Sequence, residues 1–404
     1  MMVKKILKSY DYTLIIAVVM LAVFGLIMIY SASMVTAVQR YHYPSDYFYN
    51  KQKFHLILSA LAFVFMALFP YKALQNNKLL IPMVFISLGA LFAIYLFGHA
   101  AGNAQSWLKL GASRIQPSEF TKLTVIIYLS AVYAKKQSYI NEFNRGVVPP
   151  LVYLILACGF IVIEPDVGTA AIIFLIAVTV ILCSGMNFKN IMRLCMLGLM
   201  VAIPFFLIMK DKLLSPVRLG RIDAFIDPFT ADPDIGYHMI NSYLALGTGG
   251  VQGLGLGNSI QKLGYLPEPH TDFIIAIISE ELGAFGVGFV LLLLSYIVLK
   301  GLYIGLKTKD AFGSLLAIGI SSMIGIQSFV NLAGVSGVIP LTGVPLPFVS
   351  YGGSSILQLS LAMGILVNVS MFTNYEYKYK NKQEKAPPVP FEKNSINKYY
   401  QVQK

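Results

Sequence analysis

The stretch that decides the fold is FIIAIISEELGAFGVGFVLLLLSYIVL, residues 273–299. A helix of about 20 apolar residues crosses the hydrocarbon core of a bilayer, so this stretch predicts a transmembrane helix. It contains two acids, Glu280 and Glu281. Ionisable residues in such a helix are costly and usually face a bundle interior or a water-filled cavity. The stretch therefore predicts several helices around a polar interior.

The rest of the chain has the same character. Of its 404 residues, 56% are hydrophobic and 12% are charged, whereas soluble domains have about 25% charged residues. The mean hydropathy is +0.68. The three cysteines lie in or beside apolar runs, and none has metal-ligand spacing, so neither a disulfide framework nor a zinc site is indicated.

Ten apolar runs are long enough to span a membrane, and they predict an all-α polytopic membrane protein. They start near Thr13, Phe54, Leu79, Phe120, Val147, Thr169, Ile191, Phe273, Ala311 and Ser355. With the N-terminus inside, the cytoplasmic segments hold 20 of the 31 lysines and arginines, as the positive-inside rule requires. This distribution also argues against nucleic-acid binding as the reason for the net charge of +12.

The domain prediction follows from these spans. Residues 1–375 form one transmembrane domain with both termini cytoplasmic, and residues 376–404 form a basic, disordered cytoplasmic tail. Residues 210–272 form a long extracellular loop, and loops of that length are usually functional. Within it, the spacing of Met239, Tyr243 and Leu246 predicts a helix. The glycine-rich GLGLGNS follows no strand, which excludes a nucleotide fingerprint and favours a compact, partly membrane-embedded loop.

Polar residues collect at the outer ends of the spans. Asp272 begins the eighth, where its simplest role is a helix cap or dipole partner. Glu280, eight residues later, falls on nearly the same helical face, which favours a functional role instead. Three further polar segments are expected at the same level and predict one external cavity: residues 116–122, residues 164–166, and the Gly- and Pro-rich residues 334–355, which indicate a broken element.

Four motifs resemble the SEDS family, the FtsW/RodA/SpoVE group of bacterial peptidoglycan glycosyltransferases. They are QPSEFTKL (116–123), EPDVGT (164–169), GLGNSIQKLGYLPEPHTDFIIAIISEELG (255–283) and PLTGVPLPFVSYGGSS (340–355). The resemblance implies polymerisation of lipid II, an undecaprenyl-pyrophosphate-linked disaccharide-pentapeptide, at the outer face of the bacterial cytoplasmic membrane. It places the catalytic carboxylate on Asp272, and a conserved acid and base on Glu119 and Lys122.

One motif departs from the family pattern. The family has Arg-Trp where this chain has Ser106-Trp107. Arg114 or Lys109 would have to supply the missing charge. Glu119 and Lys122 are spaced i, i+3 and can pair across a turn, so Lys122 is either neutralised in that pair or available to a phosphate.

The chemistry of lipid II polymerisation suits these residues. A sugar hydroxyl is a poor nucleophile, so Asp272 would accept its proton, with a pKa raised by the cavity. The pyrophosphate leaving group needs cations, with Mg²⁺ or Mn²⁺ as a further option and no metal ligands assigned. The predicted substrate contacts are Lys122, Glu119, Arg114, Gln116, His270, Glu268, Lys262, Arg218, Arg221 and Ser350.

Other functions remain open at this point. A lipid II flippase or transporter would also show many helices around a polar cavity, although the charges here lie at the outer boundary rather than at the midplane. A scaffold would need no acid at Asp272. Within the family, YLPEPHTDFI favours the division type over the elongation and sporulation types. The resemblance also implies a class B penicillin-binding protein and other divisome proteins as partners, and a location at the septum.

Overall fold

The computed structural model describes residues 2–97, 99–101, 104–110, 113–230 and 233–380. This part of the chain is almost entirely helical. Its helices are α1 (Met2–Leu7), α2 (Tyr12–Gln39), α3 (Tyr47–Leu68), α4 (Asn77–Phe97), α5 (Pro117–Lys135), α6 (Val148–Ile163), α7 (Val167–Leu182), α8 (Phe188–Leu213), α9 (Pro216–Ile226), α10 (Pro233–Thr248), α11 (Ile274–Lys307), α12 (Ala311–Val335) and α13 (Gly353–Tyr375).

The prediction of an all-α polytopic membrane protein is confirmed. Each of the ten predicted runs coincides with a helix, namely α2 to α8 and α11 to α13. Seven helices in the described residues are long and apolar enough to cross a membrane, and α7 is apolar but shorter. The total of ten spans therefore stays a prediction.

A small antiparallel sheet, which the sequence did not suggest, links α4 to α5. Its strands are β1 (His99–Ala101), β2 (Ala104–Leu110) and β3 (Ser113–Ile115), in the order β1-β2-β3. Directly after β3, Gln116 is the N-cap residue of α5, and Pro117 opens that helix, where a missing N–H costs nothing. The sheet therefore leads the chain into α5 at one end of the bundle.

Helix α5 lies at the centre of the molecule. It contacts α4, α6, α7, α12 and α13, and its residues are buried on nearly every side. The polar side chains of its first turns, including Glu119 and Lys122, are consequently enclosed by protein.

The ends of the chain are packed together. Helix α13 packs more extensively against α3 than any other two described elements pack against each other. Asn368 of α13 donates to the Ala67 carbonyl at 2.6 Å and accepts from the Tyr71 N–H at 2.9 Å. After α13, residues 376–380 continue as a helical turn, so the predicted disorder does not begin at 376. Residues 381–404 lie outside the described part.

The long segment before α11 folds back along that helix. Helix α10 packs against α11, which confirms a helix at Met239, Tyr243 and Leu246. The chain then turns beside Gly283, whose φ of 62° and ψ of −156° interrupt α11, in a region that is essentially reserved for glycine.

At the interruption, residues 250–255 of the preceding loop form backbone hydrogen bonds with residues 280–284 of α11. The N–H groups of Leu254 and Gly255 donate to the carbonyls of Glu280 and Glu281, each at 2.9 Å, and Ala284 N–H donates to the Gly250 carbonyl at 3.0 Å. Backbone groups that the break removes from the helical ladder are thus satisfied. With 34 residues, α11 has more than the roughly 20 residues that cross a hydrocarbon core of about 30 Å.

Candidate active site

Asp272 lies just before α11, and its backbone is fixed from two sides. Asn331 Nδ2 donates to the Asp272 carbonyl at 2.9 Å and to the Val344 carbonyl at 2.7 Å. Ser350 Oγ donates to the Thr271 carbonyl at 2.7 Å. The N-cap residue of α11 is Phe273, so the cap role considered for Asp272 is not what the structure shows.

The Asp272 carboxylate is half-buried. In the residues that the structure describes, no hydrogen bond or ion pair engages its oxygens. Burial, and then the negative charge of Glu268, raises the pKa of Asp272 to about 6, while the charge of Arg221 opposes that rise. At pH 7 the carboxylate is therefore mainly ionised, yet basic enough to take a proton.

The segment between α12 and α13 forms the wall opposite Asp272. It is non-helical and contains Gly343, whose φ is 75°. A Cβ at Gly343 would lie 3.4 Å from Asp272 Oδ2. The segment is held by Gln327 Nε2, which donates to the Pro345 carbonyl at 3.1 Å, and by Ser350 Oγ, which accepts from Leu346 N–H at 2.8 Å. Ser350 was predicted as a substrate contact. In the structure its hydroxyl instead bonds to backbone groups of Leu346 and Thr271 and so holds this wall in place.

Lys122 and Glu119 form the i, i+3 pair that their spacing allowed. Lys122 Nζ lies 2.8 Å from Glu119 Oε1 and 3.0 Å from Gln327 Oε1. The ammonium is buried, and among the described residues the second oxygen of Glu119 has no hydrogen-bond partner. Since Gln327 also holds Pro345, this pair lies directly behind the wall of the cavity.

Gln116 connects three elements. Its N–H donates to Ser354 Oγ of α13 at 3.0 Å, and its Nε2 donates to Asp166 Oδ2 at 3.4 Å. Asp166 caps α7 by accepting from Thr169 N–H at 3.1 Å. Burial raises the pKa of Asp166, whereas its bonds to Thr169 lower it. Neighbouring Glu164 has both oxygens buried, with no hydrogen-bond partner in the part of the chain that the structure describes, and burial, followed by the charge of Asp166, raises its pKa to about 8.

Helix α9 brings two predicted arginines to this end of the molecule. Arg218 Nη2 donates to the Pro165 carbonyl at 2.7 Å, and Arg221 Nη1 donates to the Leu341 carbonyl at 3.4 Å. The charge of Arg221 acts on Asp272, and Asp166 acts on Arg218. Each arginine is thus close enough to one of these two acids for their charges to interact.

On the other side, His270 is enclosed by aromatic rings. Its ring centroid lies 4.3 Å from that of Phe48 and 5.4 Å from that of Tyr351. Burial lowers the pKa of His270 to about 4, against the opposing charge of Glu268, so His270 is neutral at pH 7. Glu268 accepts from Tyr41 Oη at 2.5 Å and lies 3.6 Å from Arg40 Nη1.

Arg114 is exposed, and its charge acts on Tyr351. It therefore borders the same rim as His270. The side chains of Ser106 and Lys109 lie outside the described part of the structure. The proposal that Arg114 replaces the family's arginine before Trp107 therefore stays a prediction.

Two sequence-based expectations need correction. Glu280 does not share a face with Asp272, because Asp272 precedes the helix. Instead, Glu280 Oε1 accepts from Ile260 N–H at 3.0 Å, and its other oxygen accepts from Ser259 Oγ. Lys262, expected at the pyrophosphate, is buried and lies 2.6 Å from Glu281 Oε1. The structure does not bring its ammonium to Asp272, and a substrate contact from Lys262 has no support.

Comparison with known proteins decides the family. The model of the FtsW/RodA/SpoVE group, described as cell cycle protein, matches residues 12–375. The chain belongs to this family. It is 56% identical, over 96% of both chains, to the probable peptidoglycan glycosyltransferase FtsW of Bacillus subtilis. It is 38% identical, over 91% of this chain and 98% of the other, to stage V sporulation protein E of the same organism.

Solved structures of the family share the fold. A chain from a peptidoglycan synthase complex, whose study concerns coordination of polymerization and crosslinking, matches with a TM-score of 0.70 at 22% identity, covering 90% of this chain and 98% of that one. The rod shape determining protein RodA of Thermus thermophilus matches with a TM-score of 0.63 at 22% identity, covering 89% and 96%. The predicted membership of the SEDS family is therefore confirmed.

Metal binding was an open option for this FtsW/RodA/SpoVE member. Among the described residues, no three His, Cys, Asp or Glu side chains come together as a metal site. A Mg²⁺ or Mn²⁺ ion would thus need most of its ligands from substrate oxygens and water. The requirement for Mg²⁺ or Mn²⁺ therefore stays a prediction.

Sequence reasoning missed three residues that shape the site. Asp166 stood inside the EPDVGT motif but was not named as a site residue. Gln327 and Asn331 both lie on apolar α12, four residues apart and therefore on one face. Polar residues with that spacing on an otherwise apolar helix are a signal that could have identified this lining of the cavity.

Proposed function

We propose that this protein is a peptidoglycan glycosyltransferase that polymerises lipid II at the outer face of the bacterial cytoplasmic membrane. The observation that carries the proposal is the half-buried Asp272 carboxylate, which lies against Gly343 and is acted on by the charge of Arg221. The name of the Bacillus subtilis relative at 56% identity supports the same reaction.

In the proposed reaction, Asp272 accepts the proton of the acceptor sugar's 4-hydroxyl while that oxygen attacks C1 of the donor. Charge develops on C1 as in other glycosyl transfers, and direct displacement inverts that centre. The bond from C1 to the pyrophosphate breaks, so negative charge grows on the leaving group. Arg221 and Arg218 are placed to stabilise it, and fixed cations in a partly desolvated site do so without reorganising.

The buried pair behind the wall acts differently. Lys122 already neutralises Glu119 and also contacts Gln327, which in turn holds Pro345 of the wall. We infer that the pair sets the shape and the electrostatic potential of this wall. Lys122 contacts phosphate only if substrate binding rearranges Gln327. Gln116, the N-cap residue of α5, bonds to Asp166, and Arg218 of α9 bonds to the neighbouring Pro165 carbonyl, so these contacts connect the start of α5 to α9.

We further propose the division role for the protein, with a class B penicillin-binding protein as partner and the septum as location. The division-type name of the Bacillus subtilis relative supports this role over the sporulation role, since the sporulation protein is less similar. The solved complex in which a related chain occurs supports a partner that crosslinks strands.

Polymerisation of purified lipid II tests the enzyme proposal. Wild type, Asp272→Asn and the matched control Asp223→Asn, an exposed aspartate of α9, are compared with the partner present and with moenomycin added to silence contaminating polymerases. Glycan strands from wild type and the control, but not from Asp272→Asn, are expected. If all three move labelled lipid II between leaflets and none makes strands, the protein is a flippase instead.

A further inference from the structure

The segment from Ser259 to Asp272 carries the proposed base at its end, and Glu280 holds its beginning. The Glu280 carboxylate, fully buried, accepts from Ser259 Oγ, from Ile260 N–H at 3.0 Å, and from Gln261 N–H at 3.3 Å. Three donors satisfy a buried carboxylate well. Glu280 is therefore a fixed anchor on the first turns of α11.

A second anchor follows directly. Lys262 Nζ lies 2.6 Å from Glu281 Oε1 and 3.0 Å from Ser31 Oγ of α2, and Ser31 Oγ lies 2.7 Å from both Glu281 oxygens. The side chains of Lys262 and Glu281 are 2% and 0% exposed. Neither charge can be left without the other at this burial, so the three residues join the segment to α11 and α2 in one arrangement.

The other end of the segment is also fixed. The carbonyl of His270 accepts from Tyr351 N–H at 2.9 Å, that of Thr271 from Ser350 Oγ at 2.7 Å, and that of Asp272 from Asn331 Nδ2 at 2.9 Å. Between the ends, Leu266 N–H donates to the Gln261 carbonyl at 2.8 Å and closes a turn within the segment. Because the segment is held at both ends and in between, we expect a shift of its backbone at Lys262 to move Asp272 as well.

We infer that Glu280, Glu281 and Lys262 are positioning residues, which hold the 259–272 segment so that the Asp272 carboxylate stands at the reacting hydroxyl. The inference rests on the proposed role of Asp272 as the base. Misplacement of a reacting group by about 1 Å can reduce a rate about 100-fold. A buried ion pair is a poor source of net stability, so a role in fixing one arrangement explains the pair better than stability does.

The kinetic test compares Lys262→Met with Glu281→Gln and with the charge-preserving Lys262→Arg. Both neutral variants are expected to lower kcat about 100-fold with KM for lipid II nearly unchanged, and Lys262→Arg to retain most of the rate. A looser segment admits water to Asp272, which lowers the pKa that burial had raised. The fall of kcat on the acid side of the pH profile should therefore move to lower pH. A merely structural pair would reduce the folded fraction but leave kcat per folded molecule and the acid limb unmoved.

Milder and matched variants keep the test usable. Ser259→Ala removes one donor to Glu280 and retains the ion pair, so it should fold and lower kcat by a smaller factor. Asp310→Ala serves as the control, since Asp310 accepts from Gly313 N–H at 3.0 Å at the opposite end of the bundle. It should lower the thermal midpoint without changing kcat. Equal kcat for Ser259→Ala, Lys262→Met and wild type would overturn the inference.

A readout without polymerisation separates this inference from the proposed function. In a chain with Cys158, Cys183 and Cys195 replaced by serine, the rate at which a charged thiosulfonate forms a mixed disulfide with Asp272→Cys, releasing sulfinate, reports access to that position. Lys262→Met is expected to raise the rate more than about tenfold, because it leaves Glu281 buried and unpaired. An unchanged rate would refute the positioning role even if wild type polymerises lipid II. A raised rate in a protein that makes no glycan would refute only the proposed function.

Discussion

Replacing Asp272 by asparagine should stabilise the protein at alkaline pH while abolishing its activity. Burial raises the pKa of Asp272 from 3.8 to about 6, so the ionised form is disfavoured in the folded state. A pKa difference of one unit corresponds to about 1.4 kcal/mol, and a difference of about two units gives an upper value of about 3 kcal/mol. This is the stability that the carboxylate costs once it is ionised.

The sign of the effect depends on pH. Below pH 4 the carboxyl group is protonated in both the folded and the unfolded chain, and asparagine should make little difference. Between about pH 4 and pH 6 the unfolded chain ionises this carboxyl group while the folded protein keeps it protonated, so the advantage of asparagine should grow over this range and reach its full value above about pH 6. Active sites commonly cost stability in this manner.

Thermal unfolding in one detergent at several pH values measures the effect. The midpoint of Asp272→Asn should exceed that of wild type at pH 8, and the two should converge towards pH 4. Asp310→Ala is the control, because Asp310 accepts from Gly313 N–H at 3.0 Å and from Tyr71 Oη at 3.1 Å. It should lose about 1 kcal/mol at pH 8. A comparable loss for Asp272→Asn would show that the carboxylate is compensated, and would refute the desolvation argument.

Three further outcomes are expected. The kcat/KM for lipid II should fall about tenfold per pH unit below pH 6, because only ionised Asp272 accepts a proton; a rate that stays constant down to pH 5 would contradict this. Glu119→Gln should destabilise by about 3–5 kcal/mol in thermal unfolding, since Lys122 stays buried without its carboxylate, and adding Lys122→Met should recover most of that loss. Gly283→Ala should lower the thermal midpoint, because its Cβ would clash with the Val251 carbonyl at a φ of 62°, whereas Gly288→Ala, with open space around its Cβ, should not.

The sequence revealed the helices and the position of the proposed base for clear physical reasons. Apolar runs of membrane length leave little choice but a helix, because backbone groups must be satisfied internally. The charge on Asp272 marked the start of α11, since an acid beside such a run needs an explanation. Glycines and prolines in residues 334–355 correctly indicated a break between helices.

The roles of Glu280 and Lys262 were beyond the sequence because they depend on contacts between distant segments. Ser31 and Glu281 are 250 residues apart, yet their side chains meet at 2.7 Å. The break at Gly283 turns the first turns of α11 towards the preceding loop, and no periodicity predicts that direction. The strands β1 to β3 are three to seven residues long, which is too short for an alternating pattern to be distinguished from a loop.

The hydrogen bond between Asn368 and Ala67 links residues that are 301 positions apart, which has a consequence for biosynthesis. At about 5–20 residues per second, a ribosome needs about 15–60 s to make the chain between them. During that time α3 is already in the bilayer without α13, the helix against which it packs most extensively. Lipid or an insertion factor must cover that face until translation is almost complete, and a chain that stops before α13 leaves it permanently open to proteolysis.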